Sequence, residues 1–241
     1  MTSQRHIPIR AIALLVGAAA TFAAVLMLTA FAGAQGGGGN AEHIGNTEKT
    51  PDPSCPKDPC QAIGSVTGFQ VDAKGEDDLM AAPEDGELVA WSIRLSKPKG
   101  SQREFFGKFY KDKKLGTDPT ARIAVLKPPK EGNEYKLKAQ GPVTEIGDDL
   151  GSKPLYTLDE PIPIKEGDII ALTVPTWVPN FAVDLSNRNV WRASREKGAC
   201  EDSNDIKRGK PHQKVGKKKA YACTYRQARI LYTANYVPAG A

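Results

Sequence analysis

The chain has 241 residues, with 33 basic and 28 acidic side chains and a formal net charge of +5 at pH 7. Once an N-terminal leader and linker are set aside, roughly 180 residues remain, which is enough for one domain with its own core. Only three histidines are present, and His6 and His43 precede that domain. His212 alone is left for a Ser-His-Asp triad or a histidine-rich zinc site, and its lysine neighbours disfavour its charged form.

Residues 1–34 have the composition of a targeting segment. Arg5 and Arg10 lie in a basic front, and residues 11–34 are apolar or small and carry no charge. The Ala-Gly-Ala sequence at 32–34 fits the small-residue rule for signal-peptide cleavage. The apolar run exceeds the usual signal core of about 7–15 residues and is long enough to span a bilayer, so an uncleaved membrane anchor is the alternative. Either way we expect an exported protein, secreted or otherwise extracytoplasmic, whose only membrane contact is residues 11–34 if they are retained.

Residues 35–59 are predicted to be a linker. Four consecutive glycines at 36–39 are followed by polar residues and by four prolines. Such a segment buries too little apolar surface to order itself. We expect a disordered tether that holds the folded part off a membrane or wall, or a disordered leader with no role.

Four cysteines predict disulfides, because their number is even and the expected compartment is oxidising. Of three possible connectivities, Cys55–Cys60 and Cys200–Cys223 are favoured, since each pair is near in sequence and brackets a loop. The second bridge would stabilise the fold by ~3 kcal/mol in the chain-entropy account. The pairs lack the spacing of a zinc site, so neither a metal nor a cofactor is predicted.

Residues 60–238 contain one strand pattern after another. Residues 88–95 alternate, and 169–174 form a nearly continuous apolar run rich in β-branched residues, bounded by a turn at Gly167. Pro175 is predicted to end that strand, and no segment after the leader has a helical period. Eight to ten short strands predict an all-β fold, an antiparallel β-sandwich or jelly roll. We expect the inward faces to be Val89, Trp91, Ile93, Ile170, Leu172, Val174, Ile230 and Tyr232.

Two tryptophans are candidates for carbohydrate stacking. Trp177 lies between two prolines, which predicts a rigid loop, and Trp191 is followed by Arg192 and Arg195. Flat aromatics on rigid loops stack on sugar rings while nearby polar groups fix orientation. The alternative is that Trp177 and Trp191 are core residues, as tryptophan in an all-β domain often is.

A basic loop carries the positive charge of the chain. Residues 206–219 hold seven basic residues and no acidic one, whereas the rest of the exported part has 24 basic against 28 acidic residues. We expect this loop to bind a polyanion, or else to be an ordinary solvated loop. An exported protein meets anionic wall polymer, acidic polysaccharide or lipid head groups rather than nucleic acid. The seven residues are Lys207, Arg208, Lys210, Lys214, Lys217, Lys218 and Lys219.

No catalytic motif is present, but two enzyme types remain possible. A glycosidase needs two carboxylates at a set separation, and the sequence does not say which two face each other. A polysaccharide lyase would use tyrosine, lysine or arginine side chains as base and charge stabiliser. Candidates near the C-terminus are Tyr221, Tyr225, Arg226 and Arg229. The acidic runs at 76–78 and 148–149 do not match a calcium-binding loop.

The leader, the glycine-rich tether and strands such as PIKEGDIIALTVPTW together resemble exported actinobacterial β-sandwich proteins. The layout of the exported part is also similar to jelly-roll carbohydrate-binding modules. The resemblance implies a binding or surface role and transfers no functional residue. We therefore expect a non-catalytic protein that binds a cell-surface or extracellular polymer, with a carbohydrate-active enzyme or a structural envelope protein as alternatives. The sequence leaves the oligomeric state open.

Overall fold

The structure, a computed structural model, describes residues 40–201 and 209–240. The predicted signal or anchor segment at 1–34 lies outside the described residues, and so do the four glycines of the linker, Lys207 and Arg208. No helix within the described ranges is long and apolar enough to cross a membrane.

The described chain is almost entirely β-structure, with fifteen strands and one α-helix. The strands are β1 (Glu42–Ile44), β2 (Ile63–Ala73), β3 (Glu76–Asp77), β4 (Gly86–Ile93), β5 (Thr120–Lys127), β6 (Glu134–Gln140), β7 (Thr144–Glu145), β8 (Leu155–Ile164), β9 (Ile169–Val178), β10 (Phe181–Ala182), β11 (Asn189–Ala193), β12 (Lys218–Ala220), β13 (Cys223–Arg226), β14 (Arg229–Ile230) and β15 (Tyr232–Pro238). The helix, α1, spans Gly100–Phe109.

The strands form two main sheets in which every pairing is antiparallel. A four-stranded sheet has the order β1-β15-β4-β8, and a nine-stranded sheet follows the path β12-β6-β5-β9-β2-β11-β13, with β3 beside β2 and β7 beside β5. The short strands β10 and β14 pair with each other. The prediction of an all-β fold built from antiparallel sheets is confirmed.

One hydrophobic core joins the two sheets in a sandwich-like arrangement. Trp91 and Ile93 of the four-stranded sheet and Leu172 and Val174 of the nine-stranded sheet belong to the same buried cluster. The Tyr232 hydroxyl donates a 2.8 Å hydrogen bond to the carbonyl of Ile170, which connects β15 to β9. Seven of the eight predicted core residues are buried. Val89 is the exception and is half-buried, because the register of β4 against β8 shifts at this position and interrupts the alternation.

The two ends of the nine-stranded sheet lie near each other. Only two residues separate β12 at one end from β13 at the other. The N–H of Tyr221 donates to the carbonyl of Asn133 at 2.8 Å, and the N–H of Ala222 donates to the carbonyl of Arg195 at 2.9 Å. Residues 221–222 are therefore hydrogen-bonded both to the residue before β6 and to a residue shortly after β11. The nine-stranded sheet must curl to bring these two ends together.

The predicted end of β9 at Pro175 is wrong. The strand continues to Val178, and Pro175 lies at a bulge where Val66 pairs with Val174 but Gly64 pairs with Trp177. The extra residue on β9 means that Pro175 is not required to donate a ladder hydrogen bond there. Trp177 therefore lies in a strand and not in a loop.

The helix α1 is a correction to the expectation that no helix follows the leader. Its glycine at position 107 weakens the helical pattern, but this glycine packs against Thr117, where a Cβ atom would come within 2.9 Å of the Thr117 carbonyl oxygen. Phe106 is buried against Trp177, with ring centroids 5.4 Å apart. Tertiary packing thus stabilises a helix that local propensity does not predict.

Part of the predicted linker is also ordered. Residues Glu42–Ile44 form β1, which pairs with β15 at the edge of the four-stranded sheet. The Ile44 side chain is buried in the main core. The compact unit accordingly begins well before residue 60.

Candidate functional site

A cavity of about 320 Å³ lies beside the end of β11. Strands β2, β10, β11 and β13 contribute to its walls, and Tyr110, just after α1, closes one side. Arg195, Trp191 and Tyr225 line it. We call this cavity the Arg195 pocket.

Unusual backbone conformations shape the pocket. Ser65 follows Gly64 at the β2–β9 bulge and has a φ of 48°. A Cβ atom on Gly64 would come within 2.5 Å of both Tyr110 Cδ1 and the Thr176 carbonyl oxygen, so only glycine fits there. Asp184 and Gln227 also line the pocket and have φ values of 58° and 61°. Backbone strain of this kind concentrates at functional sites.

Arg195 is the principal charged group of the pocket. Its exposed fraction is 8%. Nη1 donates to the Tyr225 hydroxyl at 2.8 Å and Nη2 to the Gly64 carbonyl at 3.4 Å, whereas Nε has no hydrogen-bond partner. No ion pair of Arg195 exists within residues 40–201 and 209–240. A buried cation without a counter-anion is energetically costly, so the pocket favours an anionic ligand.

Aromatic side chains form the wall beside this arginine. Trp191 stacks on Tyr225 with ring centroids 4.5 Å apart and planes inclined by 20°. Phe181 meets the same indole edge-on at 5.5 Å. The guanidinium carbon of Arg195 lies 5.8 Å from the centre of the Tyr225 ring, within cation–π range. The packing keeps the arginine and both large rings in fixed orientations.

The Cys200–Cys223 disulfide supports the same wall. Both predicted bridges, Cys55–Cys60 and Cys200–Cys223, are present. Cys223 begins β13 two residues before Tyr225, whose hydroxyl donates to the carbonyl of Cys200 at 2.6 Å. The hydroxyl of Tyr225 therefore links the disulfide loop to Arg195, accepting from the arginine and donating to the loop.

Burial keeps the hydroxyl of Tyr110, the other tyrosine of the pocket, protonated. Desolvation raises the pKa of Tyr110, and the Arg195 charge opposes that effect only in part. Its hydroxyl donates to the carbonyl of Ala62 at 3.4 Å. At neutral pH Tyr110 is thus a hydrogen-bond donor and a poor general base.

Two other predicted binding residues, Trp177 and Arg192, lie outside the pocket. Trp177 is 1% exposed, and its Nε1 donates to the Thr117 carbonyl at 2.8 Å. Its burial against Phe106 fits the core role that was the alternative to sugar stacking. Arg192 alternates with Trp191 along β11 and therefore points to the opposite face of the sheet. Its Nη1 donates to the Tyr135 hydroxyl at 3.3 Å, outside the pocket.

The described part of the basic loop ends in an edge strand. Residues Lys218–Ala220 form β12, which pairs with β6 so that Lys218 faces Lys136. Like charges directly opposite each other destabilise a sheet unless an anion lies nearby, although edge lysines also discourage aggregation. The exposed lysines in the described part of this loop are Lys210, Lys214, Lys217 and Lys218. We call these four, with Lys136 and Lys219, the lysine edge.

Lys219 connects the lysine edge to the Arg195 pocket. Its side chain is half-buried and donates to the Lys210 carbonyl. Burial lowers the pKa of Lys219 to about 8; the Glu196 carboxylate opposes this shift, and the charges of Lys210 and Arg195 act in the same direction as burial. Lys219 thus lies near enough to Arg195 for their charges to interact, and the Glu196 carboxylate offsets part of the positive charge there.

The sequence identified part of this site and missed part of it. Trp191 and Arg195 are both predicted binding residues and both line the pocket. Of the four lyase candidates, Tyr225 and Arg226 line it, whereas Tyr221 packs in the core against Tyr135 and Arg229 is buried beside another cavity. Gly64, Tyr110 and Gln227 were not predicted, since no local signal marks them as neighbours. No group of metal-ligating residues is found in the described ranges.

The chain shows no match to known proteins: no family model, no curated protein and no solved structure is similar to it. The resemblance to exported actinobacterial β-sandwich proteins accordingly stays a prediction from the sequence. The Arg195 pocket and the lysine edge are the structural features that bear on the function of the protein.

Proposed function

We propose that the chain is an exported, non-catalytic β-sandwich protein that binds an anionic extracellular or cell-surface polymer, either an acidic polysaccharide or an anionic wall polymer. Arg195 carries the proposal: it is buried, lacks a described carboxylate partner and borders an aromatic-walled cavity. Export through residues 1–34 and a jelly-roll form of the sandwich are parts of the same proposal.

The two positive features have complementary roles in this proposal. The lysine edge attracts the polymer through long-range charge, which salt screens within about 8–10 Å. The pocket then takes one anionic unit, whose negative group pairs with Arg195 while its ring lies against the half-buried Tyr225, on which the buried Trp191 stacks. Charge-assisted hydrogen bonds formed away from water are the stronger of the two contributions.

A polysaccharide lyase is the second candidate, favoured by the Tyr225–Arg226–Arg195 cluster in the pocket. Lyase chemistry needs a base that removes a proton beside a sugar carboxylate. The Tyr225 hydroxyl already donates a hydrogen bond to the Cys200 carbonyl and accepts one from Arg195. The raised pKa of Tyr110 makes that hydroxyl a poor base as well. Asp184 is the only carboxylate among the described lining residues, which disfavours a two-carboxylate glycosidase. Binding without catalysis is therefore the leading proposal.

The test is retention on immobilised polygalacturonate and on neutral dextran during a salt gradient. We expect wild-type protein to bind only the acidic polymer and to elute as salt rises. Arg195→Met should weaken binding by about 10–100-fold, the equivalent of one or two charge-assisted hydrogen bonds. Replacing Lys217, Lys218 and Lys219 with Gln should lower the salt at elution without removing binding.

The matched control is Arg103→Met, which removes an exposed arginine from α1. It should elute with the wild type. Equal retention of Arg195→Met and wild-type protein would disprove the role of the pocket, and equal retention of the lysine triple variant would show that the basic loop is only a solvated surface. Release of unsaturated uronate products from the polymer would support the lyase instead.

A further inference from the structure

A second basic surface surrounds α1. Between residues 97 and 114 there are seven basic side chains, all of them exposed, and only two acidic ones, Glu104 and Asp112. The basic residues are Lys97, Lys99, Arg103, Lys108, Lys111, Lys113 and Lys114. We call this the α1 surface.

The two acids neutralise little of this charge. Glu104 pairs with Lys108 at 2.5 Å within the helix. The Asp112 carboxylate accepts hydrogen bonds from the backbone N–H groups of Lys114 and Leu115, at 2.7 and 3.0 Å. The other six basic residues form no ion pair with a carboxylate that the structure describes. The α1 surface thus presents a net positive charge to solvent.

An exposed aromatic side chain lies on the same helix, one turn from Lys108. Phe105 is 60% exposed, although its neighbour Phe106 is buried. Its ring stacks on Phe109 at a centroid distance of 5.7 Å. A solvated charge run accounts for the lysines, whereas the Phe105 ring gains free energy when a partner removes it from water.

We propose that the α1 surface docks on an anionic lipid bilayer, with Phe105 entering the interface. Helices with basic residues around an exposed apolar side chain bind in this way, because the charges attract acidic head groups while the apolar group leaves water. A lipid surface satisfies both features, whereas a hydrophilic anionic polymer would pair with the lysines only. The proposal is independent of the Arg195 pocket and of the polymer proposed to bind there.

The experiment measures co-sedimentation with vesicles of phosphatidylcholine and phosphatidylglycerol in equal parts, beside vesicles of phosphatidylcholine alone. The chain should begin at Gly37, where the compact unit starts, so that the apolar leader does not itself bind lipid. We expect binding to the anionic vesicles only. Each lysine near such a surface contributes about fivefold in affinity, so replacing Lys111, Lys113 and Lys114 with Gln should weaken binding on the order of 100-fold.

Matched variants distinguish a specific role of the α1 surface from a general effect of the protein's positive charge. Phe105→Ser should weaken binding by about tenfold through lost apolar burial, whereas Val215→Ser, which removes another exposed apolar side chain of 58% exposure, should have no effect. Replacing Lys217, Lys218 and Lys219 with Gln makes the same charge change at the lysine edge and should leave lipid binding nearly intact.

The proposal is overturned if the two lysine triple variants lose binding equally, or if Phe105→Ser binds like wild type. It also fails if the α1 variants lose retention on polygalacturonate but not on vesicles, which would assign this surface to the polymer.

Discussion

Arg195 and Arg229 are both buried and both keep guanidinium nitrogens without a hydrogen-bond partner. Their surroundings differ in the space available. Arg229 borders a cavity of only about 20 Å³, whereas Arg195 borders one of about 320 Å³. The smaller cavity has room for about one water molecule. Of these two arginines, Arg195 is therefore the one that combines an uncompensated charge with room for a polymer unit.

Replacing Arg195 with methionine should separate stability from binding. We expect the free energy of unfolding to rise by about 1 kcal/mol, because removal of an unpaired buried charge outweighs two lost hydrogen bonds. Urea denaturation of the unliganded protein measures this free energy of unfolding. Arg103→Met, which removes an exposed arginine, is the control. A loss of more than about 2 kcal/mol would show that Arg195 is mainly structural.

Among the elements, β13 shows how a disulfide and a strand act together. Its first residue, Cys223, is bonded to Cys200, and its third, Tyr225, donates to the Cys200 carbonyl. The Cys55–Cys60 bridge lies instead near α1, where Cys55 packs with Phe106 and Trp177. Each bridge stabilises a different part of the fold, and only Cys200–Cys223 supports the Arg195 pocket.

The double substitution Cys200→Ser with Cys223→Ser should cost about 3 kcal/mol of stability, since it opens the longer loop. It should also weaken polymer binding, because Tyr225 loses a fixed acceptor and no longer holds Arg195. The corresponding Cys55→Ser and Cys60→Ser variant opens a short loop, and its cost should be about 2 kcal/mol with polymer binding retained. Chemical denaturation and polygalacturonate retention test both. Unchanged binding in the Cys200/Cys223 variant would separate the disulfide from the pocket.

Across the whole molecule, stability depends on the core that both sheets share. Trp91 of β4 is 2% exposed and packs against Tyr156 of β8, with ring centroids 4.7 Å apart. The same core contains residues from β2, β5, β9 and β15. Loss of one large side chain there affects both sheets at once.

Trp91→Ala should lower the free energy of unfolding by ~3–5 kcal/mol, the usual cost of an unfilled core cavity. Leu155→Ala is the control from the same sheet, because Leu155 is 58% exposed and should change stability by less than about 0.5 kcal/mol. Thermal and urea denaturation give both values. A soluble Trp91→Ala protein with an unchanged melting temperature would contradict the core assignment.

The sequence by itself was sufficient for features that depend on local pattern and proximity. Alternating and continuous apolar runs predicted the all-β fold and seven of the eight chosen core residues. This was possible because the two-residue periodicity of a strand appears in consecutive residues of the sequence. Both disulfides followed from short loops between cysteines. Trp191 and Arg195 were found because they lie four residues apart beside a strand end.

Only the tertiary structure decided the features that depend on distant residues. Gly64, Tyr110, Trp191 and Tyr225 meet in one pocket although they are widely spaced along the chain, and strand order rather than local pattern brings them together. Trp177 is buried against Phe106 of α1, and Gly107 lets the helix approach Thr117 closely. Such contacts form when remote segments pack, and their free energy overrides the local preferences from which a sequence is read.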